Sequence, residues 1–131
     1  MGTVLASNEY HRLTACEDVR GHVLPYAQVD LDWLRDYFGE KLWPAAYSEN
    51  EHDCLARVTP ERLTECWPEM RRIVASIPEG ETVRQRLQAL GAKQSLTDLG
   101  VPEEKLPELL RISPLIRNRL TLMRTRRMLD L

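Results

Sequence analysis

Five arginines crowd the end of the chain, Arg117, Arg119, Arg124, Arg126 and Arg127, opposed there by one acid, Asp130. A guanidinium is a permanent cation with a rigid fork of five N–H donors, so this run carries the chemistry for holding a carboxylate or a phosphate. Two outcomes follow. The arginine stems can lie along apolar surface while their heads pair with acids of the same fold. Alternatively, Arg117, Arg119 or Arg126 faces an anionic ligand or a partner.

The remaining reactive side chains form no recognisable constellation. His11 stands on a helical stretch, but the positions four residues either side are Ser7 and Ala15, so no metal-binding pair at helical spacing is completed. His52 is flanked by Glu51 and Asp53, and adjacent residues point apart on regular structure. Cys16, Cys54 and Cys66 are widely spaced, with no Cys-x-x-Cys, as expected of reduced thiols. No Ser/His/Asp or Cys/His signature is present, and no glycines form a dinucleotide or phosphate loop. The residues alone offer no catalytic, cofactor-binding or metal site, only arginines.

The elements that must position those arginines are helices. Ser113 is a good N-cap and Pro114 a good first helical residue, and no later Gly or Pro stops the run, so one helix is expected to reach Leu131. On a helical wheel Ile116, Leu120 and Met123 make one apolar stripe, and Leu115, Leu122 and Leu129 a second about 100° away. Arg119 and Arg126 fall between the stripes. That placement predicts pairing of Arg119 or Arg126 with acids elsewhere in the fold, most simply in the acid-rich stretch from Glu17 to Asp53.

Ahead of this segment, residues 1 to about 15 follow a helical pattern without a start signal. Gly2, Ala6 and Ser7 are small, as if this helix lay close to another backbone. Residues 16 to 29 are irregular. Asp30 caps a short helix closed by Gly39, and residues 40 to 58 make a long connection. Thr59-Pro60-Glu61 opens the best amphipathic helix, carrying Leu63, Cys66, Trp67, Met70, Ile73, Val74 and Ile77, with a kink expected at Pro68. Thr82 with Gln85, and Ser95 with Asp98, read as capping boxes, with stops at Gly91 and Gly100. Pro102 opens a further helix whose first turn holds Glu103 and Glu104, and Pro107 puts that turn in conflict.

No stretch alternates with period two, and hairpin signals are absent. The expected fold is all-α: six to seven short helices in an irregular bundle forming one domain over residues 1–131. Within it, residues 16–58 are irregular with one short helix and residues 59–131 are the helical core. A net charge of −2 gives no field favouring nucleic acid. No apolar run reaches transmembrane length and no signal-peptide pattern opens the chain, so a cytoplasmic setting without membrane contact is expected.

LQALGAK, LTDLGVPEE and SPLIRNRLTLM, within Leu87 to Leu131, together resemble the C-terminal end of sn-glycerol-1-phosphate dehydrogenases, in the iron-containing alcohol dehydrogenase and dehydroquinate synthase-like superfamily. Arg117, Arg119 and Thr121 carry the family's Arg-x-Arg-x-Thr run. Dehydroquinate synthases usually have Asp-Lys-Lys near this place, so Arg-Asn-Arg favours the dehydrogenase side. The resemblance covers about a third of the chain and leaves residues 16 to 58 unmatched.

It implies a helical C-terminal domain of a longer enzyme, whose N-terminal α/β domain binds NAD(P) through a Gly-rich turn. It also implies zinc or iron held by one Asp and two His, the last His just ahead of a Gly-Thr that Gly2-Thr3 would match. The ligands would then precede Met1, residues 1–15 would be a remnant of the metal-site helix, and this chain alone would be inactive. The implied partner is the nucleotide domain or a second copy, seated on exposed apolar surface. The competing expectation is a free-standing interaction module that docks an acidic partner through its last helix; a nucleic-acid binder using that helix is a third.

Overall fold

A computed structural model describes all residues from Met1 to Leu131. The protein is all-α, with five helices of seven residues or more: α1 Gly2–Thr14, α2 Leu31–Ser48, α3 Pro60–Ala75, α4 Gly80–Ala89 and α5 Leu106–Ile112. Five is fewer than the six to seven expected, because the closing segment is not a helix. After α5 comes a 3-10 turn, Ser113–Leu115, then irregular backbone, one α-helical turn, Leu122–Thr125, and a second 3-10 turn, Arg126–Met128.

Helix α1 begins as its sequence suggests, with Met1 at the N-cap position and no side-chain cap. It lies close to another backbone. Ser7 donates its hydroxyl to the Pro78 carbonyl at 2.6 Å, and the His11 ring nitrogen lies 3.0 Å from the Ile77 carbonyl. Gly80, the buried first residue of α4, sits so near Asn8 that a Cβ there would stand 1.9 Å from its amide oxygen. That contact places the start of α4 at Gly80, two residues before the expected capping box; Thr82 is exposed inside the helix.

Asp30 caps α2 by accepting from the amides of Asp32 and Trp33, both at 3.0 Å. Gly39, at φ 67 and ψ 167, breaks it into residues 31–38 and 40–48. The second half occupies what the sequence presents as connection. Pro44 lies within it, one turn past the break at Gly39, and its Trp43 and Ala46 join Leu34, Ile112 and Leu115 in a small core. Residues 16–58 therefore hold two helical segments and a 3-10 turn, Cys54–Arg57, instead of one short helix.

Thr59 caps α3, which runs through Pro68 with no break in its helical backbone. Leu63, Trp67 and Val74 form its buried face, while Ile73 is half exposed. Trp67 is fully buried and donates its indole N–H to the Cys16 carbonyl at 2.9 Å. Around it lies the main core: Leu13, Val19, Leu55, Leu63, Met128 and Leu129. The core thus draws on both ends of the chain and is not confined to residues 59–131. An antiparallel bridge between Val23 and Leu129 fastens the C-terminal residues, with amides of Leu24 and Asp130 each donating across it at 2.8 Å.

Ser95 and Asp98 form their capping box in full. The Asp98 carboxylate accepts from the Ser95 amide at 2.9 Å, and the Ser95 hydroxyl from the Asp98 amide at 3.0 Å. Gly100 closes that turn in the left-handed region, and Gly91 closes α4 likewise. The Pro107 conflict resolves by a 3-10 turn, Glu103–Lys105, preceding α5, so that Pro107 occupies its first turn. No helix is long and apolar enough to cross a membrane.

Candidate functional site

The arginine-rich segment wraps around residues 49–55, and one side chain organises the meeting. Arg124 is completely buried, and all five of its N–H groups are used. Its Nε donates to Asp53 Oδ1 at 2.8 Å. Its Nη1 donates to the Pro114 carbonyl at 2.7 Å and the Arg117 carbonyl at 3.1 Å. Its Nη2 donates to the Glu49 carbonyl at 3.3 Å and Asn50 Oδ1 at 3.0 Å. These contacts explain the missing helix: the carbonyls of Pro114 and Arg117 serve a guanidinium, not the amides four residues on. Thr121, the last residue of the Arg-x-Arg-x-Thr run, is the N-cap of the turn that presents Arg124, accepting from its amide at 3.2 Å.

The partners of Arg124 are themselves satisfied. Asn50, also fully buried, donates its amide to the carbonyls of Ala46 and Leu115, both at 2.8 Å. Asp53 accepts from the Leu55 amide at 3.0 Å, and its second oxygen accepts from Arg127. Burial alone would raise the Asp53 pKa, but hydrogen bonds from Arg124, the Leu55 amide and Arg127 outweigh it and hold the carboxyl below its usual range. Asn118 adds a second tie: its amide N–H donates to Glu49 Oε2 at 2.6 Å, its side chain donates to the His52 carbonyl at 2.7 Å, and its Oδ1 accepts from the Cys54 amide at 2.9 Å.

The three arginines singled out by sequence have different fates. Arg117 is largely exposed and meets Glu49 at 3.3 Å. Arg126 pairs with Glu9 at 2.8 Å, a carboxylate on α1 that also takes a forked contact from Arg12. The Arg12 hydrogen bonds hold Glu9 below its usual pKa against the effect of burial, helped by the charges of Arg12 and Arg126. Arg119 is exposed and has no ion-pair partner. The structure brings Arg117 and Arg119 to one cleft with Tyr10, Ser113 and Thr121. The apolar stripe of Ile116 and Leu120 does not form, and these residues are 50% and 60% exposed.

Sequence reasoning passed over Arg124, Asn50, Asp53 and Asn118 as the organising residues. The available signal was Asn118: asparagine is a poor residue for a helix interior because its amide competes for backbone groups. Its position in the middle of the expected helix argued against that helix.

No three His, Cys, Asp or Glu side chains converge where they could hold an ion. His11 faces the Ile77 carbonyl and His22 the Asp130 carbonyl. The zinc or iron implied by the resemblance therefore finds no donor set among these residues. The positive-φ glycines are scattered: Gly39 breaks α2, and Gly21, Gly91 and Gly100 stand in three separate turns. Comparison of the chain with protein-family models, with curated proteins and with solved structures finds no match.

Proposed function

We propose that this chain is the C-terminal helical domain of an sn-glycerol-1-phosphate dehydrogenase-like, metal-dependent NAD(P) oxidoreductase, and that it is not catalytic alone. The observation that carries the reading is the inward use of the arginine run. Arg124, Arg126 and Arg127 contact Asp53 and Glu9. A free-standing helix that docks an acidic partner would need those charges facing out. Instead, the segment that carries the family resemblance closes the fold, with Leu115, Arg124 and Met128 fully buried. An open apolar groove of about 270 Å³, with Val58, Met70, Leu120 and Leu122 in its walls, has room for a side chain of the nucleotide domain.

The test is an assay of the purified 131-residue chain with NAD⁺ or NADP⁺, sn-glycerol-1-phosphate and added zinc or iron, followed by the same assay with the separately purified nucleotide-binding domain of a full-length dehydrogenase. The chain alone is expected to give no reduced nicotinamide and to co-elute with that domain in gel filtration. Turnover by the chain alone, or failure to associate at micromolar concentrations, contradicts the reading.

A further inference from the structure

The chain exposes more surface than its size requires. Its accessible area is 8432 Å², whereas a compact monomer of this length exposes about 7,100 Å². The excess of about 1,300 Å² is larger than the ~800 Å² that one partner contributes to a standard protein interface. Helix α2 carries five of the chain's eight aromatic residues, Trp33, Tyr37, Phe38, Trp43 and Tyr47, yet buries only Leu34 and Ala46. We propose that this side of α2 is the interface of a two-fold symmetric homodimer, in which a second copy of the chain closes the small core beneath it.

That core is open on one side. Leu34, Ala46, Ile112 and Leu115 are buried, while the larger Trp33, Phe38 and Trp43 packed against them are only half-buried. On a helical wheel Trp33 and Tyr37 lie beside Leu34, and Leu42, Trp43 and Tyr47 lie beside Ala46. Tyr37, Leu42 and Tyr47, each at least 40% exposed, thus border the core and not the polar side of the helix. Obligate interfaces have this character, that of a domain core cut in half.

The aromatic anchors are held before any partner arrives. The Arg111 guanidinium lies 4.0 Å from the centre of the Trp33 ring. Tyr37 donates its hydroxyl to Glu108 of α5 at 2.8 Å and packs against Trp33 and Phe38, with ring centroids 5.8 and 5.4 Å apart. Trp43 and Tyr47 meet edge to face at 5.3 Å. Fixed Trp, Tyr and Arg side chains dominate interface energies, and their prior ordering lowers the cost of association. The charges around them suit a like partner. Arg35 pairs with Glu40 at 2.7 Å and Lys105 with Glu108 at 2.9 Å, and the other charged side chains of α2, Asp32, Asp36 and Lys41, are of both signs. Such a face has no single-sign field to repel its own copy or to select an oppositely charged partner. Each copy brings the same half-closed core, so a two-fold axis satisfies both at once. The face shares no residue with the groove beside Leu120 and does not depend on the dehydrogenase reading.

Sedimentation velocity of the full chain between 1 and 100 µM, on the order of the concentrations at which specific dimers form, tests the proposal. A species of twice the chain mass is expected. Leu42→Lys should raise the dimer dissociation constant about tenfold or more while leaving the helical circular dichroism unchanged, because Leu42 is 54% exposed in the single chain. Leu90→Lys, at an 80% exposed site on the far end of α4, and Leu120→Lys, at the apolar groove, should both leave the dimer intact. In the unaltered chain, dilution should increase acrylamide quenching of tryptophan fluorescence, since Trp33 and Trp43 become open while Trp67 stays buried. A monomer at every concentration, quenching that is independent of dilution, or a dimer lost in Leu90→Lys or Leu120→Lys but kept in Leu42→Lys would each overturn it. A chain that is monomeric alone and loses association with the nucleotide-binding domain in Leu42→Lys would assign the face to that domain, and would overturn it too.

Discussion

Arg124 and Asp53 meet at 2.8 Å with both side chains at zero solvent exposure, across 71 residues of sequence. A buried ion pair gains little over a well-packed apolar pair, but removal of one partner leaves the other charge stranded. Arg124→Met is therefore expected to lose about 3–5 kcal/mol in urea unfolding. Arg124→Lys should lose most of that, because an ammonium cannot reproduce the five-way fork.

Acid should unfold the protein through its paired carboxylates. The folded pKa values of Asp53 and Glu9 are both depressed. Their contribution is fully present above the unfolded carboxylate values of about 4 and is lost as pH falls through the lower folded values. A plot of stability against pH should be flat from neutrality to about pH 5 and fall steeply below about pH 4. Asp53→Asn, though less stable at neutral pH, should show a shallower fall. An unchanged slope in that variant would mean that Asp53 is not held ionised by the fold.

Two glycines should respond in opposite directions to alanine. Gly39 has φ 67 and ψ 167, a backbone region closed to other residues, although open space surrounds it. Gly39→Ala should cost about 1–3 kcal/mol from backbone strain alone. Gly2 lies in the first turn of α1 with nothing near its missing Cβ. Gly2→Ala should be neutral or stabilising by up to about 1 kcal/mol. Thermal unfolding of the two variants side by side decides this.

Trp67 joins α3 to the chain leaving α1 through its bond to the Cys16 carbonyl. Trp67→Phe removes that donor and part of a buried ring, with an expected loss of about 2–4 kcal/mol in chemical denaturation. A loss under about 0.5 kcal/mol would show that the residue is not a core anchor.

Local signals foretold what local chemistry decides. Asp30 and Thr59 cap their helices, Gly39, Gly91 and Gly100 stop theirs, and Ser95 with Asp98 closes its turn. Where tertiary contacts override propensity, the pattern misled. Residues 40–48 are helical because Trp43 and Ala46 pack into a core made with Leu34 and Leu115. The closing run has helical periodicity and good helix formers, yet the Arg124 guanidinium takes the carbonyls of Pro114 and Arg117 and is itself held, as the Asn118 amide is, by residues among Glu49, Asn50 and Asp53. Those partners are more than sixty residues away in sequence, beyond the reach of any periodicity. The arginines were legible as a group; which one turned inward was not, because a wheel drawn on a continuous helix placed Arg124 wrongly.

The central claim is that this closing segment clasps the fold internally through Arg124. A double-mutant cycle on Arg124→Met and Asp53→Asn, read by urea unfolding at neutral pH, tests it most directly. Groups sharing one buried network should couple, so the double variant should be about 1–3 kcal/mol more stable than the sum of the single losses predicts. Additive losses would mean that the two side chains do not meet, and would contradict the account.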